Sequence, residues 1–97
     1  MDYDIPGAYE AITVADTPIG LTVANIMAVG RATSVNISVE SYNVRYRADG
    51  GDPSATAGVL LTAGSVVSFS GRQLLNSLKF HQVTSAATLN VQYFHGG

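Results

Sequence analysis

The sequence predicts an all-β fold: a single immunoglobulin-like or Greek-key β-sandwich of about seven or eight short strands. Three observations support this. Apolar and polar residues alternate in several short runs, turn signals recur roughly every ten residues, and glycine, serine, threonine and valine are too frequent for a long helix. The 97 residues suit one domain. We divide the chain into an N-terminal arm (1–8), a sandwich domain (9–94) and a C-terminal tail (95–97).

The composition restricts the function classes. Cysteine is absent, which excludes disulfides and cysteine metal sites. The net charge of −2 argues against nucleic-acid binding, which needs a basic patch. No segment reaches the ~20 apolar residues of a membrane span, and the acidic start Met1–Asp4 is unlike a signal peptide. We therefore expect no membrane partner, and we expect the chain to accumulate where it is translated.

The low charge also bears on the surface. Only 12% of the residues are charged, against a typical ~25%. A surface of alanine, glycine, serine and threonine is easier to desolvate than a charged one, because no ion loses its hydration shell. Either the neutral surface is merely tolerated, or much of it lies against partner subunits, including other copies of the chain.

The first half of the chain contains the clearest strand patterns. Residues 1–8 contain proline and glycine without periodicity, so an ordered arm would dock onto a neighbour or onto its own domain. A strand is predicted over 9–15, and 19–27 is either an extended strand or an irregular edge. Alternation predicts two further strands, over 33–39 and 42–47. Their apolar positions change parity, which requires a turn or bulge at Glu40-Ser41.

The second half begins with a loop over 48–57. Strands at 59–61 and 66–69 flank a hairpin-type turn, in which Gly64 is expected to take a positive φ. Residues 71–77 allow one helical turn at most, and 78–83 and 87–93 form the last pair of strands. The expected core consists of Ile12, Val14, Val35, Ile37, Val39, Val44, Tyr46, Leu61, Val67, Phe69, Leu78, Phe80, Leu89 and Val91.

The run from Arg45 to Ser54 is the most distinctive stretch. Asp49 is placed to accept a hydrogen bond from a backbone N–H two residues on, and Gly50 or Gly51 to take a positive φ. This predicts a structural turn whose exit Pro53 makes rigid. A calcium site is a poor alternative, because the two carboxylates of Asp49 and Asp52 are too few for the six to eight oxygens that calcium prefers.

The same region carries a family resemblance. Tyr46, Asp49, Gly50, Pro53 and Ser54 resemble a Y-x-x-D-G-x-x-P-[ST] element of immunoglobulin-like accessory domains and of small structural proteins of tailed bacteriophages. The phage proteins are the more similar, because the likeness extends to EAITVADTPIGLT, GVLLTAGSVVSF and LKFHQVTSAATLNVQYF and so spans nearly the whole domain. Gly51 departs from the pattern, where a polar residue is common, and we expect a looser turn there.

The resemblance implies a non-enzymatic virion protein that is made in the host bacterial cytoplasm. The expected role is that of a capsid decoration (cement) protein bound to the major capsid protein, or else of a head–tail or tail component. We expect the arm to tie subunits together, the loop to make a rim contact, and Arg45 and Arg47 to be either solvated or set against an acidic patch. The expected contact residues are Tyr3, Ile5, Pro6, Tyr9, Arg45, Arg47, Asp49, Gly50, Asp52 and Pro53.

Two rival functions remain open from the residues. One is a carbohydrate-binding adhesion module displayed on the particle, although the absence of tryptophan weakens a sugar-stacking platform. The other is a small enzyme. We expect no catalysis and no cofactor, because no serine lies in a nucleophile-elbow setting and the pattern predicts that His81 is a strand-face residue.

Overall fold

The computed structural model describes residues 4–26 and 32–96. Within these ranges the backbone forms eight strands and two short helices. Their bounds are β1 Asp4–Val14, β2 Ile19–Gly20, α1 Val23–Ile26, β3 Ser34–Glu40, β4 Val44–Arg47, β5 Val59–Leu61, β6 Val66–Ser70, α2 Arg72–Ser77, β7 Lys79–Gln82 and β8 Ala87–Gly96. Neither helix is long and apolar enough to cross a membrane.

The strands form two four-stranded antiparallel sheets. The first sheet has the order β1-β8-β3-β6 and the second has the order β2-β7-β4-β5. Each strand of the first half thus pairs with its counterpart counted from the other end of the chain, β1 with β8, β2 with β7, β3 with β6 and β4 with β5. A long hairpin rolled onto itself has this connectivity, which is the eight-stranded double Greek key, or jelly roll.

The predicted all-β sandwich is therefore confirmed. Of the two strand arrangements in the prediction, the Greek key is observed. The immunoglobulin arrangement divides its strands unequally between two sheets, whereas the strands here divide equally. The predicted turn at Glu40-Ser41 is also present, since Ser41 has φ 78° and the chain passes there from the first sheet to the second.

The core lies between the two sheets. Eleven of the expected core residues are buried, and the other three, Tyr46, Val67 and Phe69, are half-buried and pack against them. The ring of Tyr46 meets that of Phe69 edge-to-face, with centroids 5.0 Å apart, and so joins the two sheets. Six further residues complete the core: Leu21, Ile26, Ala32, Leu75, Ala87 and Tyr93.

Strand pairing differs from the sequence prediction in the second half. The turn at 62–65 does contain Gly64 at φ 90°, but β5 and β6 belong to different sheets and do not form a hairpin. The strands β7 and β8 likewise belong to different sheets. The strand β4 begins at Val44, and Tyr42 precedes it with 47% of its surface exposed. The segment 19–27 forms a two-residue strand and a four-residue helix where it is described.

Residues 4–8 are not a separate arm, because they belong to β1. Asp4, Ile5 and Pro6 stand opposite Gly96, His95 and Phe94 of β8, so the described part of the expected tail is a strand too. A bulge between Pro6 and Tyr9 breaks the two-residue period, which explains why the sequence shows no alternation there. The side-chain amide of Gln92 donates to the carbonyls of Gly7 and Ala8 at the bulge.

Candidate interaction surface

The outer face of the first sheet is almost free of charge. Residues that pair across neighbouring strands form rows on this face. One row across the four strands consists of Tyr9, Gln92, Asn36 and Ser68. Among the residues of this face whose side chains are described, Glu40 carries the single formal charge. We call this surface the neutral face; its members are Tyr9, Ala11, Thr13, Ser34, Asn36, Ser38, Glu40, Val66, Ser68, Ser70, Thr88, Asn90, Gln92 and Phe94.

Hydrogen bonds between side chains fix the polar groups of the neutral face. The Tyr9 hydroxyl donates to Asn90 Oδ1 at 2.6 Å, and the Asn90 amide donates to the carboxylate of Glu40. Ser68 donates to Asn36 Oδ1 at 2.6 Å. Because these side chains are already ordered, a partner that binds them immobilises few further rotamers.

A shallow depression of about 250 Å³ lies in this face. Its lining combines amides and hydroxyls with two exposed apolar groups, the Tyr9 ring, 60% exposed, and Val66, 72% exposed. The lining residues are Tyr9, Asn36, Ile37, Ser38, Val66, Asn90 and Gln92. The depression thus offers both apolar contact and neutral hydrogen-bonding groups.

The distinctive loop, residues 48–58 between β4 and β5, folds against the second sheet. Arg45 of β4 donates to the carbonyls of Ala55 at 3.1 Å and of Gly58 at 2.9 Å, which holds the far end of the loop. Lys79 Nζ lies 3.0 Å from Asp52 Oδ1 and holds its middle. Pro53 is buried beneath it. Arg45 and Lys79 thus bind the chain's own loop.

The turn within this loop has the predicted form. Asp49 Oδ1 accepts the Gly51 N–H at 3.1 Å, and Gly50 has φ 84°. The hydrogen bond from Arg47, followed by that from Gly51, lowers the pKa of Asp49 to about 2. The looser turn expected at Gly51 stays a prediction. A Cβ built there would lie 2.6 Å from Cζ of Arg47, so the glycine lets the guanidinium pack flat against the backbone.

A second polar cluster closes one end of the sandwich. Glu10 points inward from β1 and accepts hydrogen bonds from Tyr93, Thr22 and Asn25. Partial burial opposes ionisation, but these hydrogen bonds together outweigh it and lower the pKa of Glu10. Burial, and then the hydrogen bond and charge of Glu10, raise the pKa of Tyr93. The cluster ties the start of α1 to the first sheet and has the character of a structural clasp.

The expected contact residues do not form one site. Tyr3 lies outside the described residues, and Ile5 and Pro6 are in β1, where only their backbone is described. Tyr9 lies on the neutral face. On the opposite side of the sandwich lie Arg45, Arg47, Asp49, Gly50, Asp52 and Pro53.

The amides of the neutral face were missed as site residues. The signal was the alternation itself, because the positions between the buried residues of β3 and β8 are serine, threonine, asparagine or glutamine rather than charged residues.

The carboxylates of the loop are engaged by cations rather than arranged around a metal position. Asp49 pairs with Arg47 at 2.6 Å, and Asp52 with Lys79. Within residues 4–26 and 32–96, no group of three or more histidine, aspartate or glutamate side chains is placed to hold a metal ion. Comparison of the chain with family models, with curated proteins and with solved structures finds no match.

Proposed function

We propose that this chain is a non-enzymatic structural protein of a phage particle, a decoration protein that binds the capsid through the neutral face. The observation that carries the proposal is a four-stranded surface whose described members include one ionised side chain, Glu40. The resemblance to small structural proteins of tailed phages gives the class of partner, the major capsid protein, and the location, a virion assembled in a bacterial cytoplasm.

The physical argument concerns desolvation. Burying a charged group against another protein carries a large penalty unless the group is paired. Hydroxyl and amide groups lose less hydration and regain hydrogen bonds across the interface. The neutral face can therefore be covered at low cost, and many copies on a shell add their individual contacts.

His81 lies on β7 opposite Arg45, outside the core, and its surroundings support a role without catalysis. His81 Nδ1 lies 2.6 Å from the carbonyl oxygen of Gln82, which occupies that ring nitrogen. No described serine or carboxylate is hydrogen-bonded to the ring.

The test uses capsid shells assembled from the major capsid protein of the same genome. The purified chain should sediment with the shells. Ala11→Lys, which places one charge on the neutral face in β1, should weaken the affinity for the shells at least about tenfold, which corresponds to ~1.4 kcal/mol. Thr56→Lys, an equal charge on the loop of the opposite sheet, should bind like the wild type. A wild-type chain that stays in the supernatant, or equal loss in both variants, would contradict the proposal.

A second candidate function is carbohydrate binding on the particle surface. The depression beside Tyr9 favours it, because an exposed aromatic ring with neighbouring amides suits the apolar and hydroxyl faces of a neutral sugar. A glycan array with the purified chain and with Tyr9→Ala tests it. Glycan binding that disappears in the variant would favour this function, whereas an empty array alongside capsid binding would eliminate it.

A further inference from the structure

The strand β6 leaves one edge of the first sheet open. Ser65 accepts the Val39 N–H at 2.9 Å, and Gly71 donates to the Thr33 carbonyl at 2.8 Å. In an antiparallel ladder bonded positions alternate with unbonded ones, so the odd-numbered residues of β6 bond to β3. The N–H and C=O groups of the even-numbered residues, 66, 68 and 70, point away from the sheet, and no described residue is hydrogen-bonded to them.

This edge lacks the usual protection against strand pairing. Natural edge strands are blunted by charges, proline or bulges, and β6 (VVSFS) contains none of these. The opposite edge of the same sheet, β1, contains Pro6 and a bulge. Val66, the first residue of β6, is 72% exposed, more than any other large apolar side chain in the described residues. The first sheet is therefore unprotected at its β6 edge and protected at its β1 edge.

We propose that β6 pairs with β6 of a second copy, antiparallel and about a two-fold axis at Ser68. With this register Ser68 stands opposite itself, and Val66 stands opposite Ser70 of the second copy. These are the residues whose backbone groups point outward, so each opposed pair exchanges both of its hydrogen bonds. The pairing joins two four-stranded sheets into one continuous sheet of a closed dimer.

The side chains of β6 fit the same register. On the inner face Val67 stands opposite Phe69 of the second copy, at a narrow pair where side chains are close. Both are only half-buried in one copy, and pairing covers their remaining apolar surface. The strand contains no charge, so no like charges meet across the axis.

The expected dimer is weak. Five residues from each copy bury far less than the ~800 Å² per partner of a standard interface. We therefore expect association to depend on concentration, and to be strongest where copies are crowded together. The edge is distinct from the centre of the neutral face, so the dimer does not rest on the proposed capsid contact. Its test uses the purified chain without capsid, which keeps the two failures distinguishable.

Sedimentation equilibrium over a range reaching about 1 mM tests the proposal. The wild-type mass should rise toward twice the monomer mass. Ser68→Pro removes the outward N–H and should stay monomeric, because an edge strand tolerates proline where its N–H faces solvent. Ser68→Ala loses the same hydroxyl but keeps the N–H, and it should dimerise like the wild type. A monomeric wild type, or a Ser68→Pro variant that dimerises equally well, overturns the proposal.

Amide hydrogen exchange gives a second test on the wild type, and it is decisive even if Ser68→Pro does not fold. The amides of Val66, Ser68 and Ser70 should exchange more slowly as concentration rises. Those of Val67 and Phe69 already bond to β3 and should show no such dependence. Equal exchange of the outward amides at all concentrations overturns the proposal.

Discussion

At the scale of single residues, the clasp around Glu10 shows how a carboxylate is used in a nearly neutral chain. Glu10 has the same parity as the buried Ile12 and Val14, so its side chain enters the end of the core. There it accepts hydrogen bonds from Tyr93 and Thr22. The alternation of β1 places Glu10 at an inward position. From the sequence alone, however, a carboxylate at such a position indicates the end of the strand, because its hydrogen-bond partners are not yet known.

The clasp predicts how stability depends on pH. The pKa of Glu10 is lowered in the folded state from its ordinary value of 4.5, so the unfolded chain binds more protons in acid. The free energy of unfolding should therefore fall as pH drops below about 4.5. The pKa of Tyr93 is raised, so stability should also fall as pH rises past about 10.

Urea unfolding across this pH range checks the dependence. Tyr93→Phe should lose about 2 kcal/mol at neutral pH, the usual value of a hydrogen bond to a charged group, and should lose the alkaline decline. Glu10→Gln should lose the acid decline that Glu10 contributes. An acid decline as steep in Glu10→Gln as in the wild type would contradict the clasp.

Two glycines of the loop 48–58 are expected to differ in their response to alanine. At Gly58, φ is 126° and a Cβ would lie 2.9 Å from the Tyr46 carbonyl oxygen, so the backbone must move. Gly58→Ala should cost about 1–3 kcal/mol. At Gly51 the Cβ meets only the flexible guanidinium of Arg47, and the change should stay within about 0.5 kcal/mol. Thermal unfolding of both variants compares them; equal losses would contradict this description of the loop.

At the scale of elements, the loop 48–58 covers the second sheet because Arg45 reaches two of its carbonyls. A lysine ammonium cannot reproduce the two hydrogen bonds that the planar guanidinium donates to these carbonyls. We expect Arg45→Lys to lose about 1 kcal/mol and to speed amide exchange at residues 54–58. The control is Arg47→Lys, whose partner Asp49 is exposed; an exposed ion pair contributes little. Similar exchange in the two variants would show that Arg45 does not hold the loop.

Elements also show what the sequence predicts and what it does not. The inward faces of β3 and β8 follow directly from alternation, because a half-buried strand needs apolar residues at every second position. The choice of strand partners does not follow from alternation, because pairing joins segments that are distant in the sequence. The link from β5 to β6 looks like a hairpin locally, yet it crosses between sheets. The start of β1 escaped prediction because the bulge between Pro6 and Tyr9 removed its periodicity.

The candidate site was predictable only in part. Tyr9 was expected to contact a partner, and it does lie on the neutral face. The arginines were expected to be either solvated or set against an acidic patch. Arg45 instead holds the loop of its own chain, whereas Arg47 forms an exposed pair with Asp49. Whether a surface cation contacts solvent, a partner or its own loop depends on where that loop lies, and alternation says nothing about this.

At the scale of the whole molecule, charge is distributed unequally over the two sides of the sandwich. The loop side carries Arg45, Arg47 and Lys79 with their partners, and the neutral face carries Glu40 among its described members. Attachment through the neutral face should therefore depend little on ionic strength, since screening acts on charges. Binding to shells measured from low salt to 1 M salt, where the Debye length is about 3 Å, should change less than about threefold. A steep loss with salt would indicate attachment through the charged side.

The central claim is that the neutral face is the surface that meets the capsid. Electron cryomicroscopy of capsid shells incubated with the purified chain tests it most directly. We predict density for the sandwich with the β1-β8-β3-β6 sheet against the shell and the loop 48–58 directed outward. Shells without added density, or a sandwich attached by the side that carries the loop, would contradict the account.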